Sequence, residues 1–248
     1  KPLPDIQKQT KLLVIAPHCD DEALGGAGLI YQVLKAGGQV LVVIMTNGDG
    51  FTFATEEQFH RLYLTSDDYI RSGYVRQQES LNALRLLGMN EYQVTFLGYP
   101  DRGLDALWNE HWETNKPFTS RFTGTDHSPY FNSYRKNAAY AGINVLTDLK
   151  EIISKFQPTS IVLPHPLDEH RDHSATAAFV VTSVTELVHR GVISQPVLYT
   201  YLVHRGDFPI PHGYKPEASL LPPKPLSGVS FPGWYIRPLD TDTENLKE

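Results

Sequence analysis

Two unbroken apolar runs constrain this chain most: "KLLVIAP" (11–17), whose core is apolar at every position, and "QVLVVIMT" (39–46). A strand apolar on both faces must be covered on both faces. That points to a parallel sheet with helices on either side rather than an antiparallel sheet with one wet face. The stretch between them, "EALGGAGLIYQVLKAGG" (22–38), reads as a helix stopped at Gly37 and Gly38. The alternation continues. "YVRQQESLNALRLLG" (74–88) is an amphipathic helix with Val75, Leu81, Leu84 and Leu87 near one face, and "YQVTFLGYP" (92–100) is a third strand. "NAAYAGINVLTDLKEIISKFQP" (137–158) is a helix stopped by Pro158, and "SIVLPHP" (160–166) a fourth strand. "HSATAAFVVTSVTELVHRG" (173–191) is a helix and "PVLYTYLVH" (196–204) the last strand. Residues 48–70 read as a loop or insertion, and 101–136 as a connection long enough to be functional or mobile.

With 248 residues, 41% of them hydrophobic and 20% charged, the chain fits one large globular domain or at most two small ones. No linker or repeat divides it. The expectation is one α/β domain over 1–248, with a Rossmann-like, mostly parallel sheet and helices on both faces. A proline-rich segment from about 205 is expected to wrap the surface. The first residue is Lys1, so the true N-terminus is expected to be missing. "TDTENLKE" (241–248) reads as the start of a helix, so the C-terminus is expected to be incomplete too. A net charge of -6 with no basic run excludes an electrostatic nucleic-acid footprint. The single cysteine, Cys19, excludes an internal disulfide. No apolar run reaches the roughly 18 residues a membrane helix needs.

Two polar clusters follow apolar strands directly. In "APHCDDEALGGAG" (16–28), His18 is followed by Asp20, Asp21 and Glu22; "HPLDEHRDH" (165–173) holds three histidines and three acids. In a parallel sheet the loops after the strand carboxyl ends share one edge, where ligands bind. Each cluster alone has an ordinary reading, as a helix N-cap or a solvated turn. Neither explains histidine in both, or both at strand ends. Like charges packed onto one turn call for a compensating cation. Zinc takes imidazole and carboxylate, with three protein ligands and an open position in catalytic sites. His18, the Asp20/Asp21 pair and the group His165, His170 and His173 offer more candidates than such a site has positions. "TNGDG" (46–50) lies on the same edge, making Asn47 and Asp49 candidates for substrate contact against an ordinary turn. His204 ends the last strand and is a candidate for the pocket. "LGGAG" (24–28) lacks the G-x-G-x-x-G spacing of a dinucleotide site, and "HRD" (170–172) has no accompanying kinase motifs.

"PHCDDE" with the downstream "HPLDEHRDH" resembles the LmbE/PIG-L-like zinc deacetylases, whose first motif is typically (A/P)HPDDE and whose second ends in HxDH. The resemblance runs from about residue 11 to about 205. It implies that His18, Asp21 and His173 hold one Zn²⁺ per chain, or another divalent metal. It implies Asp20 as general base, His170 as the cation that steadies the oxyanion, and Asp172 as the group that orients a neighbouring histidine. "YVRQQESLNALRLLG" resembles the family's R-x-x-E helix and places Arg76 near the site; "LGYPDRGL" resembles its next strand-end motif, with Asp101. Cys19 stands where the family usually has proline, and is expected to point away from the metal.

The resemblance implies hydrolysis of an N-acetyl group on an amino sugar of the N-acetylglucosamine type, as a free sugar or glycoconjugate. The aromatics of 101–140 (Trp108, Trp112, Phe118, Phe122, Tyr130, Phe131, Tyr134, Tyr140) offer sugar-stacking faces, or a loop packed on itself. Two alternatives stay open: a metal-dependent amidase for a non-sugar or conjugated amide, and a non-catalytic sugar- or nucleotide-binding module. Protonated His170 beside carboxylates is expected to titrate above its ordinary value. Compartment and oligomeric state are not read from the sequence.

Overall fold

The computed structural model describes residues 5–61, 63–213, 215, 218, 221–226 and 233–235. Five strands, β1 (Lys11–Ala16), β2 (Gln39–Thr46), β3 (Val94–Tyr99), β4 (Ser160–Pro164) and β5 (Val197–Tyr201), form one all-parallel sheet in the order β3-β2-β1-β4-β5. Among the described residues six α-helices cover it: α1 (Ala27–Lys35), α2 (Thr52–Phe59), α3 (Ser66–Leu86), α4 (Leu104–Asn109), α5 (Gly142–Phe156) and α6 (Arg171–His189).

The strand alternation divides the apolar runs between two cores. Leu13, Ile15, Val43 and Met45 face one core with Leu107 of α4, Leu149 of α5 and Phe179 of α6. Leu12, Val14, Val42 and Ile44 face the other with Ile30 and Val33 of α1 and Leu84 of α3. Burial on both faces is the reason these strands are apolar throughout. β1 lies between β2 and β4, so the chain order reverses at the β1–β4 pair. A crevice opens at such a point beyond the carboxyl ends, and the two polar clusters follow those two strands.

The chain departs from the sequence expectation in its connections. The segment read as a loop over 48–70 contains α2 and the first turns of α3, which begins at Ser66 rather than 74. Thr65 caps α3 reciprocally: its side chain accepts the Asp68 N–H, and the Asp68 carboxylate accepts the Thr65 N–H. That box starts the helix in a polar stretch where apolar periodicity is weak. The connection over 101–136 holds α4, and its aromatics pack inward. Trp108, Trp112, Phe118 and Tyr134 lie against the α4–α6 core, while Phe122, Tyr130 and Tyr140 are buried. Among these eight only Phe131 is largely exposed, and it stacks on Tyr74. A sugar-stacking role for them is therefore replaced by loop packing. The connection is tied down where Arg135 Nε and the Tyr99 hydroxyl donate to opposite oxygens of buried Asp148, both at 2.7 Å.

The expected helix start at 241–248 lies outside the described residues. Of the segment from 205 onward, Leu226 is buried and the Tyr235 ring lies 5.8 Å from that of Tyr199 on β5. Among the described residues no helix is long and apolar enough to cross a membrane.

Candidate metal centre

All five strand ends supply the site. After β1 the chain turns through His18 to Asp21 into a π-helical turn, Glu22–Gly26, before α1 starts. Widened turns of this kind are common at functional sites. Asp20 sits at φ 137°, a strained backbone for a residue with a Cβ. Three contacts hold it there. Its N–H donates to Glu22 Oε2 at 3.0 Å, Arg76 Nη2 reaches its carboxylate at 2.9 Å, and the same nitrogen donates to the Cys19 carbonyl at 2.5 Å. Arg76 Nη1 also donates to the Gly48 carbonyl at 3.0 Å. Gly48 has φ +65°, and a Cβ there would strike the guanidinium, so glycine is required twice over. Arg76 thus clamps the β1 and β2 loops together.

The centre of the cluster is one oxygen. Asp21 Oδ2 receives the His18 N–H at 3.0 Å and lies 3.2 Å from His18 Nδ1 and 3.1 Å from His173 Nε2. The far nitrogen of each imidazole faces carboxylate. His18 Nε2 is 3.2 Å from both Asp101 Oδ1 and Asp172 Oδ2, and His173 Nδ1 is 3.3 Å from Asp168 Oδ2. A histidine whose outer N–H points at a carboxylate has its tautomer fixed and its inner nitrogen free to ligate. His173 is fully buried, with the Asp21 carboxylate on one ring nitrogen and the Asp168 carboxylate on the other. Donors of this type, two imidazoles and a carboxylate, fit a zinc-like divalent ion.

Among the described residues, three overlapping groups have ligand atoms within 4.8 Å of one another: His18, His170 and His173; Asp21, His173 and His204; and His18, Asp101 and Asp172. The four imidazoles form a cluster, with ring centroids 4.7 Å apart for His18 and His170 and 4.9 Å for His173 and His204. His165 falls outside it; its Nδ1 accepts the Leu167 N–H. Cys19 also falls outside it, buried in the α1–α3 core, where burial raises its thiol far above the ordinary range.

The remaining acids hold the frame. Asp172 Oδ2 accepts the Arg102 N–H at 2.6 Å and Oδ1 the Leu104 N–H at 3.0 Å, so it locks the loop after β3 and touches His18 rather than His170. Asp168 was not singled out from the sequence. It accepts N–H groups from His170, Val203 and His204, all at 3.0 Å, while backing His173. Its signal was its place within "HPLDEHRDH". Asn47 and Asp49 are fully buried. Asp49 accepts the Tyr130 hydroxyl at 2.5 Å and the Asp101 N–H at 3.4 Å, so it supports Asp101 from behind and faces no open solvent.

Electrostatics separate the neighbours. Burial alone would raise Asp21, but His173 and His18 hold it well below the carboxylate range. Partial burial and the Asp21 charge push Asp20 upward, with Arg76 opposing. Its side chain is 57% exposed, so it remains open to solvent. His170 is lowered, by burial first and by the charge of His18 second. The expected upward shift is thereby corrected: Asp172 is engaged elsewhere, and His170 Nδ1 accepts the Asp172 backbone N–H at 3.2 Å as the cap of α6.

A family model described as PIG-L: GlcNAc-PI de-N-acetylase matches residues 13–184. Among solved structures, a triple mutant of the deacetylase of the teicoplanin biosynthetic pathway aligns with TM-score 0.52 and 18% identity, over 96% of this chain and 78% of that one. The N,N'-diacetylchitobiose deacetylase from Pyrococcus horikoshii gives 0.48 and 22%, over 83% and 65%. GalB, the 4-carboxy-2-hydroxymuconate hydratase from Pseudomonas putida, gives 0.49 and 16%, over 77% and 63%. The present chain spans less than two thirds of these last two. At such identities the likeness is one of fold. No curated protein sequence matches the chain.

Proposed function

The chain belongs to the PIG-L family, and from that premise we propose that it is a metal-dependent N-deacetylase acting on an amino sugar of the N-acetylglucosamine type. The observation that carries the reading is the convergence of His18 Nδ1 and His173 Nε2 on Asp21 Oδ2, with a carboxylate behind each ring. In this reading His18, Asp21 and His173 hold one divalent ion, zinc being the first choice for these donors. When bound, such an ion supplies Lewis-acid polarisation of the amide carbonyl and acidifies water.

The chain's own residues supply the rest. Asp20 adjoins the ligand set without joining it, is open to solvent, and is held in one conformation by Arg76 and Glu22. It takes the proton of the attacking water and returns it to the departing amine. His170 uses Nδ1 to cap α6, which leaves Nε2–H to donate to the oxygen that becomes negative. Asp172, Asp101 and Asp168 act at one remove by fixing His18 and His173. Arg76 positions Asp20 and the two loops. The sugar assignment rests on the family's description.

The test combines metal analysis with acetate release from N-acetylglucosamine conjugates and non-sugar acetamides. The expected result is about one zinc per chain, lost in His18→Ala, Asp21→Ala and His173→Ala. Asp20→Asn should keep the metal and lose activity by about 10²-fold or more. Acetate from the non-sugar amides alone would replace the sugar reading, and a metal-free, inert protein would leave a binding module.

A further inference from the structure

The proposed metal ligands and catalytic groups leave one imidazole of the cluster unused. His204, just after β5, is exposed, and its ring centroid lies 4.9 Å from that of His173 and 5.4 Å from that of His170. Its backbone is pinned on both sides. The His204 N–H donates to Asp168 Oδ2 at 3.0 Å, and the His204 carbonyl accepts the Glu169 N–H at 2.7 Å. Asp168 Oδ2 is also the oxygen behind His173 Nδ1, at 3.3 Å. One carboxylate therefore sets both imidazoles. An exposed loop residue needs no such anchorage for packing; here it fixes where the ring stands.

Ligand atoms of His204, Asp21 and His173 lie within 4.8 Å of one another. Donors on one zinc ion, each about 2.0–2.2 Å from it, stand at most about 4.4 Å apart. A small turn of an exposed ring therefore brings His204 onto an ion held by Asp21 and His173. His170 is the competitor, since it too has a ligand atom within 4.8 Å of His18 and His173. Its Nδ1 accepts the Asp172 N–H at 3.2 Å, which puts the proton of the neutral ring on Nε2 and leaves that nitrogen no lone pair to ligate with. His204 carries no such commitment: among the described residues its ring makes no hydrogen bond and no ion pair.

We infer that His204 is a further, displaceable metal ligand, which closes the fourth position in the resting protein and yields it to water and substrate. The inference rests on the reading of His18, Asp21 and His173 as the residues that hold the ion. Displacement follows from the difference in anchorage. His18 and His173 each have carboxylate at the outer ring nitrogen, which fixes the ring and raises its basicity. The His204 ring has none, so its bond to the ion is the weakest of the three. Three protein ligands with an open position mark a catalytic site, and a fourth protein ligand marks a closed one. His204 lets one centre be either, keeping the ion at rest and opening for the reaction.

The experiment loads the protein with cobalt(II), whose visible absorption reports the geometry and type of its ligands, and compares the wild type with His204→Ala, His204→Phe and His170→Ala. His204→Ala keeps both backbone bonds, and His204→Phe keeps a ring while losing both nitrogens. Both His204 variants should shift and weaken the cobalt bands, as water replaces an imidazole. Free imidazole should restore the wild-type bands in His204→Ala. His170→Ala should leave them in place. In the zinc-loaded protein, kcat/KM for an N-acetylglucosamine conjugate should rise in His204→Ala, by about tenfold for a position closed about nine-tenths of the time. Unchanged bands in the His204 variants, or bands altered in His170→Ala instead, would overturn the fourth ligand and leave the metal reading intact. A fall in kcat/KM would make His204 a substrate contact and overturn the closure. A wild type that takes up no cobalt would sink the fourth ligand and the metal reading together. Band changes reversed by imidazole in a protein that releases no acetate would support the ligand and sink the deacetylase reading alone.

Discussion

Asp20 and Asp21 are adjacent acids with opposite environments. Asp21 is buried and flanked by two imidazoles that hold its proton off, whereas Asp20 is half open and pushed upward by its partial burial and then by the Asp21 charge. Environments that drive neighbouring carboxyls apart divide a ligand from a base. The pH profile should follow. On the proposed reading Asp20 is the base, and its upward shift removes that base as pH falls. His170, lowered by burial and by the charge of His18 and accepting the Asp172 N–H at Nδ1, serves as a neutral Nε2–H donor. kcat/KM should therefore rise with pH through one acid limb, and His170→Ala should cost about 10²–10³ in kcat without moving that limb; a limb that moves in the variant would make protonation of His170 part of the active form. Asp168 belongs to the same scale. On the proposed reading, in which His173 holds a metal, Asp168→Asn should weaken metal binding by about 10- to 100-fold, as loss of a carboxylate behind a ligating histidine does. Competition with a chromogenic chelator measures this, and native affinity in the variant would reduce Asp168 to a loop tether.

At the scale of elements, α3 carries the most consequence. It brings Arg76 to the β1 and β2 loops. Its start depends on Thr65, whose hydroxyl oxygen accepts the Asp68 N–H at 3.3 Å in the capping box. Thr65→Ala should cost about 1 kcal/mol of stability. Urea unfolding reads that loss directly, and an unchanged midpoint would mean that tertiary packing alone fixes the helix start. The capping box was written in the sequence as "TSDD" (65–68), but the segment after it holds few apolar residues. The apolar stripe that marks this helix is clear only from Val75 onward.

The whole molecule concentrates buried acid at one sheet edge: Asp21, Glu22, Asp49, Asp101, Asp168 and Asp172 are all buried there. Burial and the nearby Asp101 carboxylate push Asp49 up to about 7. Between roughly pH 4 and 7 the folded chain therefore holds a proton that the unfolded chain has released, so stability falls as pH rises through that window. Asp49→Asn should flatten the decline by on the order of 1.4 kcal/mol for each pH unit of the Asp49 shift removed. Glu22, also pushed up to about 7, should keep part of the slope. Urea midpoints of the metal-free protein at pH 4.5 and 7.5 provide the comparison; equal slopes in variant and wild type would exclude Asp49 as the source. The sequence by itself determined the parallel sheet, because apolar runs as dense as those of β1 and β2 admit only a strand covered on both faces. It also brought the polar clusters after β1 and β4 to one edge, because parallel strands share their carboxyl ends. Tertiary structure alone decided what each polar residue touches. Asp172 is one residue from His173 in sequence but meets His18 and the β3 loop, and Asp49 meets Tyr130, 81 positions away. Tyr130 and its aromatic neighbours became core because a long connection must bury its own apolar mass, and sequence periodicity carries no record of which face that mass will find.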